Sequence, residues 1–128
     1  MQERIYKFRA WDKKEKKMYW VNKIDVPNFD SGAIKLEKNN GDPEKVEWQS
    51  LGSVELQQFT GLKDKNGKEI FEGDIVEFKY SPLGSFREEI GFNDGGFWIK
   101  RKDGTNFMPS KEYREVIGNV FETPDILK

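Results

Sequence analysis

The chain of 128 residues contains neither cysteine nor histidine. Without cysteine it has no disulfide bond, no thiolate nucleophile and no structural zinc site of the usual kind. Without histidine it lacks the commonest general base and the commonest metal ligand. Both absences count against an enzyme, and we therefore expect no catalytic residue, no bound metal and no cofactor.

The sequence also lacks a long apolar run, and its mean hydropathy is -0.86. We therefore expect no membrane-spanning or secretory segment and a cytoplasmic protein. An excess of positive charge is missing as well, because 22 Lys and Arg residues are balanced by 23 Asp and Glu residues, for a net charge of -1. The bulk electrostatic footprint of a dedicated DNA-binding domain is absent.

Aromatic residues are plentiful, with ten Phe, four Trp and four Tyr. These large side chains supply the contact area for a modest core, so the chain is expected to fold despite its high charge. A polar chain of this length must bury nearly all of its aromatic residues or leave some of them as an exposed patch. Exposed aromatic patches mark interfaces, and we therefore expect a homo-oligomer.

The first 60 residues predict an N-terminal lobe that is β or α+β and contains a β-hairpin. Apolar and charged residues alternate from Ile5 to Trp11, a charged tip follows at residues 12–17, and residues 18–21 return as a strand. Residues 22–53 contain frequent Pro, Gly and Asn, which predicts loops and a variable insertion. Alternation at Val46 and Trp48, and in part from Val54 to Phe59, predicts two further strands or one strand preceded by a short turn.

Residues 61–128 predict an SH3-like small β-barrel that forms one compact unit with the first lobe. Asn66-Gly67 predicts a two-residue hairpin turn in which both residues have positive φ. Short β candidates separated by turn residues favour a small barrel. They are Glu69 to Phe71, Ile75 to Tyr80, Glu88 to Phe92, Phe97 to Arg101, Thr105 to Met108 and Val116 to Phe121. A helical turn is predicted from Pro124 to Leu127, with Thr123 as its N-cap.

Four segments carry a resemblance to a known family. They are KFRAWD (residues 7–12), QFTGLKDKNGKEIFEGDIV (residues 58–76), FNDGGFWIK (residues 92–100) and EVIGNVFETPDIL (residues 115–127). In this order they resemble the YopX family of small phage and prophage proteins. The resemblance implies a β-rich accessory protein in the cytoplasm of a bacterial host cell. The family has no established activity, and no catalytic residue is carried over from it.

One group of residues suits nucleic acid. Trp98 precedes the run Lys100, Arg101 and Lys102, and Phe107 follows, so that bases would stack on aromatic rings while cations pair with phosphates. The rival interpretation is that Phe97 and Ile99 fill the core and that the cations belong to the turn before Gly104. We favour this rival interpretation.

A second group is rich in oxygen ligands. Asp64, Asn66, Glu69, Glu72 and Asp74 are of the type that binds Mg²⁺ or Ca²⁺. Their spacing does not match a calcium-binding EF-hand loop. We therefore interpret Asp64 and Asn66 as residues that shape turns.

The sequence as a whole predicts a non-enzymatic module that binds protein or associates with itself, with no membrane partner. The alternative is a nucleic-acid-binding module that uses the Trp98, Lys100, Arg101 and Lys102 hairpin. The identity of the partner is not encoded in any motif of the chain.

Overall fold

The structure is a computed structural model in which residues 7–28, 31–38, 44–80, 84–93, 96–100 and 110–127 are described. These residues form ten β-strands and three short 3-10 helices. The prediction of a mainly β protein is confirmed. No helix in these described ranges has the length and the apolar character that crossing a membrane requires.

The strands follow one another closely along the chain. The first five are β1 (Phe8–Asp12), β2 (Lys17–Asn28), β3 (Ser31–Glu37), β4 (Val46–Ser50) and β5 (Val54–Lys63). The next five are β6 (Glu69–Phe71), β7 (Asp74–Tyr80), β8 (Gly84–Asn93), β9 (Gly96–Lys100) and β10 (Arg114–Asn119). The 3-10 helices are Leu51–Ser53, Lys111–Tyr113 and Pro124–Leu127, and the last confirms the predicted final helical turn.

The chain divides into two compact units. The N-terminal unit spans Tyr6–Gln58, and the C-terminal unit includes Phe59–Lys128. Strand β5 runs through the boundary: Val54 to Gln58 pair with β1, and Phe59 and Lys63 pair with β6.

The N-terminal unit is an antiparallel sheet with the strand order β4-β3-β2-β1-β5. The predicted hairpin is formed by β1 and β2, with Asp12 opposite Lys17 across the charged tip. Both of its strands lie inside the sheet. One face carries the core. Its buried residues are Ala10, Ile34, Leu36 and Val54, against which Tyr19, Val21, Ile24, Leu51 and Leu56 pack.

The loops predicted for residues 22–53 are largely wrong, because β2 continues to Asn28 and β3 also lies in this range, whereas β4 contains the strand predicted at Val46 and Trp48. The physical reason is a change of register. Between Val21 and Lys23 the pairing of β2 with β3 shifts, and it shifts again between Asp25 and Asn28. An extra residue at such a bulge places Val21 and Ile24 on the same face although they are three residues apart. The bulge interrupts the alternation of apolar and polar residues by which a strand is recognised in a sequence.

The C-terminal unit contains a second antiparallel sheet with the order β10-β7-β8-β9. Its core comprises Ile70, Val76, Phe78, Ile90 and Ile99, with Leu62, Phe97 and Val116 packed against them. These residues occupy alternate positions of their strands, as the period of two requires. Ile90 of β8, for example, lies directly opposite Ile99 of β9.

The four-stranded sheet does not close on itself within the described ranges, since β10 and β9 stand at opposite ends of the strand order. The predicted strand Thr105 to Met108 lies outside the described residues. Closure into an SH3-like barrel therefore stays a prediction.

The turn at Asn66-Gly67 is in the predicted place but has a different geometry. Gly67 has a φ of +81°, whereas the only described non-glycine residue with positive φ is Lys16. The Gly67 N–H donates to the Asp64 carbonyl (3.0 Å), and the Asp64 N–H donates to the Lys68 carbonyl (2.8 Å). This is a three-residue hairpin loop, in which a type I turn is followed by one left-handed residue.

We expect Gly67→Val to lower the free energy of unfolding by about 1 kcal/mol, because a β-branched residue resists positive φ. No atom lies within 4 Å of the position that a Cβ would occupy at Gly67, so the cost is backbone strain and not a clash. Urea denaturation measures the change, and Gly67→Asn serves as the control because Asn tolerates this conformation. Equal midpoints for Gly67→Val and the unsubstituted protein would show that the strain is absent.

Candidate binding surface

The residues predicted to contact nucleic acid are only partly described. Trp98 is a half-buried residue of β9 and lies opposite Gly91 of β8. Its indole lies over Gly96, where a Cβ would come within 2.9 Å of the indole nitrogen. Lys100 is the last residue of β9. The remaining members, Arg101, Lys102 and Phe107, lie outside the described residues, so this contact surface stays a prediction.

The neighbours of Trp98 behave as the rival interpretation predicts. Ile99 is fully buried in the core of the C-terminal unit, and Phe97 packs against that core. Trp98 lies between them in the strand, so its side chain points to the opposite face of the sheet.

The oxygen-rich segment is built around the buried carboxylate of Asp64. One carboxylate oxygen accepts hydrogen bonds from the N–H groups of Asn66 and Lys68, both at 2.9 Å. The other accepts from the N–H of Val116 on β10, also at 2.9 Å. Burial raises the pKa of Asp64, but these bonds lower it more, so the pKa lies below its ordinary value. Asp64 therefore shapes the turn and also links it to β10.

Asp74 has a comparable role at the next turn. Its buried carboxylate accepts a 2.7 Å hydrogen bond from the N–H of Phe71. Within the described ranges, no group of three or more Asp or Glu residues is arranged to hold a metal ion. Asp64 and Asp74 thus stabilise two consecutive turns.

A third buried carboxylate, that of Asp12, closes the β1-β2 hairpin. It accepts hydrogen bonds from the N–H groups of Lys14 and Glu15 and from the side-chain amide of Gln49, all at 2.9 Å. Burial raises the pKa of Asp12, and the hydrogen bonds outweigh this effect, so the pKa is lowered. Like Asp64, this carboxylate is held ionised by donors from the protein itself.

Tyr19 and Lys38 complete the cluster at this tip. The Tyr19 hydroxyl donates to the Glu15 carboxylate, which raises the pKa of Tyr19 to about 12. The Lys38 ammonium lies 4.1 Å from the centre of the Tyr19 ring and 3.1 Å from a Glu15 oxygen. Both acidic residues of the charged tip, Asp12 and Glu15, therefore have partners within the N-terminal unit.

The most exposed tryptophans lie on the face of the N-terminal sheet opposite its core. Trp20 of β2 is 43% exposed and Trp48 of β4 is 47% exposed. Trp20 lies opposite Glu37 of β3, and Trp48 lies opposite Lys35. Leu36, between these two β3 residues, points into the core, so both tryptophans point away from it. The strand spacing places their Cα atoms about 12 Å apart.

Each of these tryptophans has a lysine beside its ring. The Lys7 ammonium lies 5.9 Å from the centre of the Trp20 ring, and the Lys35 ammonium lies 5.8 Å from that of Trp48. We call Trp20, Trp48, Lys7 and Lys35 the tryptophan face. Sequence reasoning did not single out this face, although the alternation at Val46 and Trp48 within a charged segment was its signal.

The C-terminal unit exposes aromatic residues at both ends of β8. Phe86 is 38% exposed and stacks on the buried Phe78, with ring centres 5.4 Å apart. Phe92 is 54% exposed and meets Phe97 edge to face at 5.1 Å. Both rings extend the core to the surface.

Comparison with known proteins agrees with the observed fold and with the sequence motifs. The family model described as "YopX protein" matches residues 7–128, which is almost the whole chain. The chain belongs to the YopX family. Among curated proteins, none is similar enough in sequence to count as a relative.

A solved structure is similar to this YopX family member over its full length. It is described as the crystal structure of protein EF1440 from Enterococcus faecalis. The two chains are 30% identical, the match covers 98% of this chain and 100% of the other, and the TM-score is 0.69. The likeness supports the two-sheet architecture and carries no statement of activity.

Proposed function

We propose that this YopX family member is a non-enzymatic module that binds protein, and that its first partner is another copy of itself. The observation that carries the proposal is the exposure of large aromatic side chains on both units, with Phe92, Trp48, Tyr113 and Trp20 foremost. Tryptophan is strongly enriched among residues that dominate protein interfaces. A net charge of -1 gives little repulsion between copies.

The arrangement of the acidic groups supports binding over catalysis. The buried carboxylates of Asp12, Asp64 and Asp74 each accept hydrogen bonds from backbone N–H groups. A general acid or base needs a pKa close to the working pH, whereas the pKa values of Asp12 and Asp64 are lowered. These groups hold turns in place and are poorly suited to proton transfer.

The biological setting that we propose rests on the family resemblance. Small YopX-like proteins of phages and prophages suggest an accessory role in the cytoplasm of a bacterial host. The balanced charge and the absence of a long apolar run in the sequence fit this setting.

Sedimentation velocity tests the self-association directly. Between about 1 and about 100 micromolar, the weight-average sedimentation coefficient is expected to rise as copies associate. The rise should persist at high salt, because an apolar contact between proteins is screened less than phosphate contacts are. A single monomeric species at tens of micromolar, on the order of typical assay concentrations, would contradict the proposal.

Binding of single-stranded nucleic acid is the second candidate function, through Trp98, Lys100, Arg101 and Lys102. Its supporting observation is that Trp98 points away from the core in a strand that ends at Lys100. We expect no measurable affinity at physiological salt. Submicromolar binding that weakens with salt and disappears when the three cations are replaced by alanine would promote this candidate to first place.

A further inference from the structure

Strand β4 lies at one end of the strand order β4-β3-β2-β1-β5 of the N-terminal unit. Its pairing with β3 is regular, from Ala33 opposite Ser50 to Glu37 opposite Val46, without a shift of register. No other described strand pairs with β4. Its second side is therefore an open sheet edge within the described chain.

Hydrogen-bond alternation shows which backbone groups point to this open edge. The Lys38 N–H donates to the Lys45 carbonyl at 2.8 Å, which makes these two residues a hydrogen-bonded pair. In an antiparallel ladder such pairs alternate with non-hydrogen-bonded ones. Glu47 and Gln49 therefore bond to β3, whereas the N–H and C=O groups of Val46 and Trp48 point outward.

Ser50, the last residue of β4, marks the end of the open edge. The Ser50 N–H points outward by the same alternation, while the Ser50 carbonyl accepts a 2.6 Å hydrogen bond from the Ser53 hydroxyl. The edge thus offers N–H groups at residues 46, 48 and 50 and carbonyls at residues 46 and 48, and the Ser50 carbonyl retains a second lone pair for one more donor. This is a template for one short added strand.

The usual protection against strand addition is reduced at β4. Its sequence, VEWQS, contains no lysine, proline or glycine, and the pairing shows no bulge. Proteins commonly use these devices to block a free edge. Two protective features remain: the charged side chain of Glu47, and the length of five residues, which limits the affinity of any added strand.

We infer that β4 is a strand-addition site and that the strand it takes is β4 of a second copy, in an antiparallel two-fold arrangement. The inference rests on the proposed self-association and names its contact. With the two-fold axis at Trp48, all five residues pair: Trp48 faces Trp48 of the other copy, and Val46 faces Ser50. Backbone groups that point outward then meet their complements, in hydrogen-bonded pairs.

Charge and side-chain chemistry select this register. With the axis at Trp48, Glu47 faces Gln49 of the second copy, so no like charges are opposed. A shift that centres the pairing on Glu47 would oppose two carboxylates directly, which destabilises a strand pair. The exposed Trp48 rings become a cross-strand aromatic pair, which stabilises the chosen register.

Two matched tryptophan variants test the inference. Trp48→Lys places a charge at the centre of the proposed contact, while Trp20→Lys makes the same change at a similarly exposed tryptophan on β2, which is paired on both sides. By sedimentation equilibrium, we expect Trp48→Lys to raise the dissociation constant at least about tenfold and Trp20→Lys less than about threefold. Equal effects would assign the contact to the tryptophan face and overturn the strand-addition site.

A proline variant tests the backbone hydrogen bonds of the β4 edge separately from the Trp48 side chain. Val46→Pro removes an N–H that points outward, at the first residue of the strand, where proline is compatible with the β3 ladder. Association should weaken at least about tenfold while the circular dichroism spectrum is kept.

The outcomes of these experiments are distinguishable. If Trp48→Lys and Val46→Pro both associate as well as the unsubstituted protein does, the inference fails and the proposed function stands. A monomeric unsubstituted protein overturns both, and capture of an unrelated extended peptide at β4 would assign the edge to a different partner.

Discussion

Replacing Asp64 with alanine is expected to lower the free energy of unfolding by about 3 kcal/mol or more, because three backbone N–H groups lose their acceptor. These donors belong to Asn66, Lys68 and Val116, and the carboxylate that serves them is buried. Urea denaturation measures the loss. Asp25→Ala is the control: Asp25 is an exposed residue of β2, and its replacement should change stability by less than about 0.5 kcal/mol.

The same residue predicts a dependence on pH. Since the pKa of Asp64 is lowered in the folded protein, its contribution is present above the unfolded value of about 3.9 and is lost as the pH falls through the folded pKa. Asp64→Asn should therefore flatten the loss of stability on the acid side. Asp12, whose pKa is also lowered, accounts for part of the slope that remains. An unchanged acid limb in Asp64→Asn would show that the hydrogen bonds do not depend on the charge.

The second large effect is expected in the core of the C-terminal unit. Phe78 is 1% exposed, and we expect Phe78→Ala to lower the free energy of unfolding by about 3 to 5 kcal/mol through lost burial and a residual cavity. Phe86 is the matched control, because it stacks on Phe78 but is 38% exposed. Its replacement by alanine should cost about 1 kcal/mol. Similar losses in both variants by urea denaturation would contradict the assignment of Phe78 to the core.

Much of the strand pattern could be predicted from local sequence. The β1-β2 hairpin and strands β6, β7 and β9 were recognisable because apolar residues alternate and turn residues separate the runs. Strand β3 was missed, although Ile34 and Leu36 alternate within it. The bulges of the adjacent β2 and the Pro, Gly and Asn residues on both sides concealed it. Such bulges are set by pairing between strands, which a single strand does not encode.

Turn chemistry was predicted in position more reliably than in geometry. Asn-Gly indicated a tight turn, but the Asp64 carboxylate bonds to residues 66 and 68 and favours a longer loop. At the C-terminus, the Thr123 hydroxyl donates to the Asn119 carbonyl and accepts from the Asn119 N–H. It therefore bonds backward, to β10, and not forward as the predicted N-cap would. In both places the hydrogen bonds of one side chain to the backbone set the geometry of the turn, and residue propensities alone do not describe such bonds.

The candidate surface was harder to predict than the fold. Trp20 and Trp48 are far apart in sequence and share a face only because β3 lies between their strands. The open backbone groups of β4 depend on the phase of its hydrogen bonds with β3, which no composition or motif reveals. The sequence instead indicated a surface at Trp98, Lys100, Arg101 and Lys102, because aromatic and basic residues are close together there in the chain.

Amide hydrogen exchange at β4 tests the central claim most directly, because it reads the backbone groups of the proposed contact in the unsubstituted protein. Between about 5 and about 500 micromolar, exchange at Val46 and Trp48 is expected to slow on the order of tenfold, as added strands protect their outward N–H groups. Exchange at Glu47 and Gln49, whose N–H groups already bond to β3, should change much less. Exchange at Val46 and Trp48 that stays fast and independent of concentration would contradict strand addition at this edge.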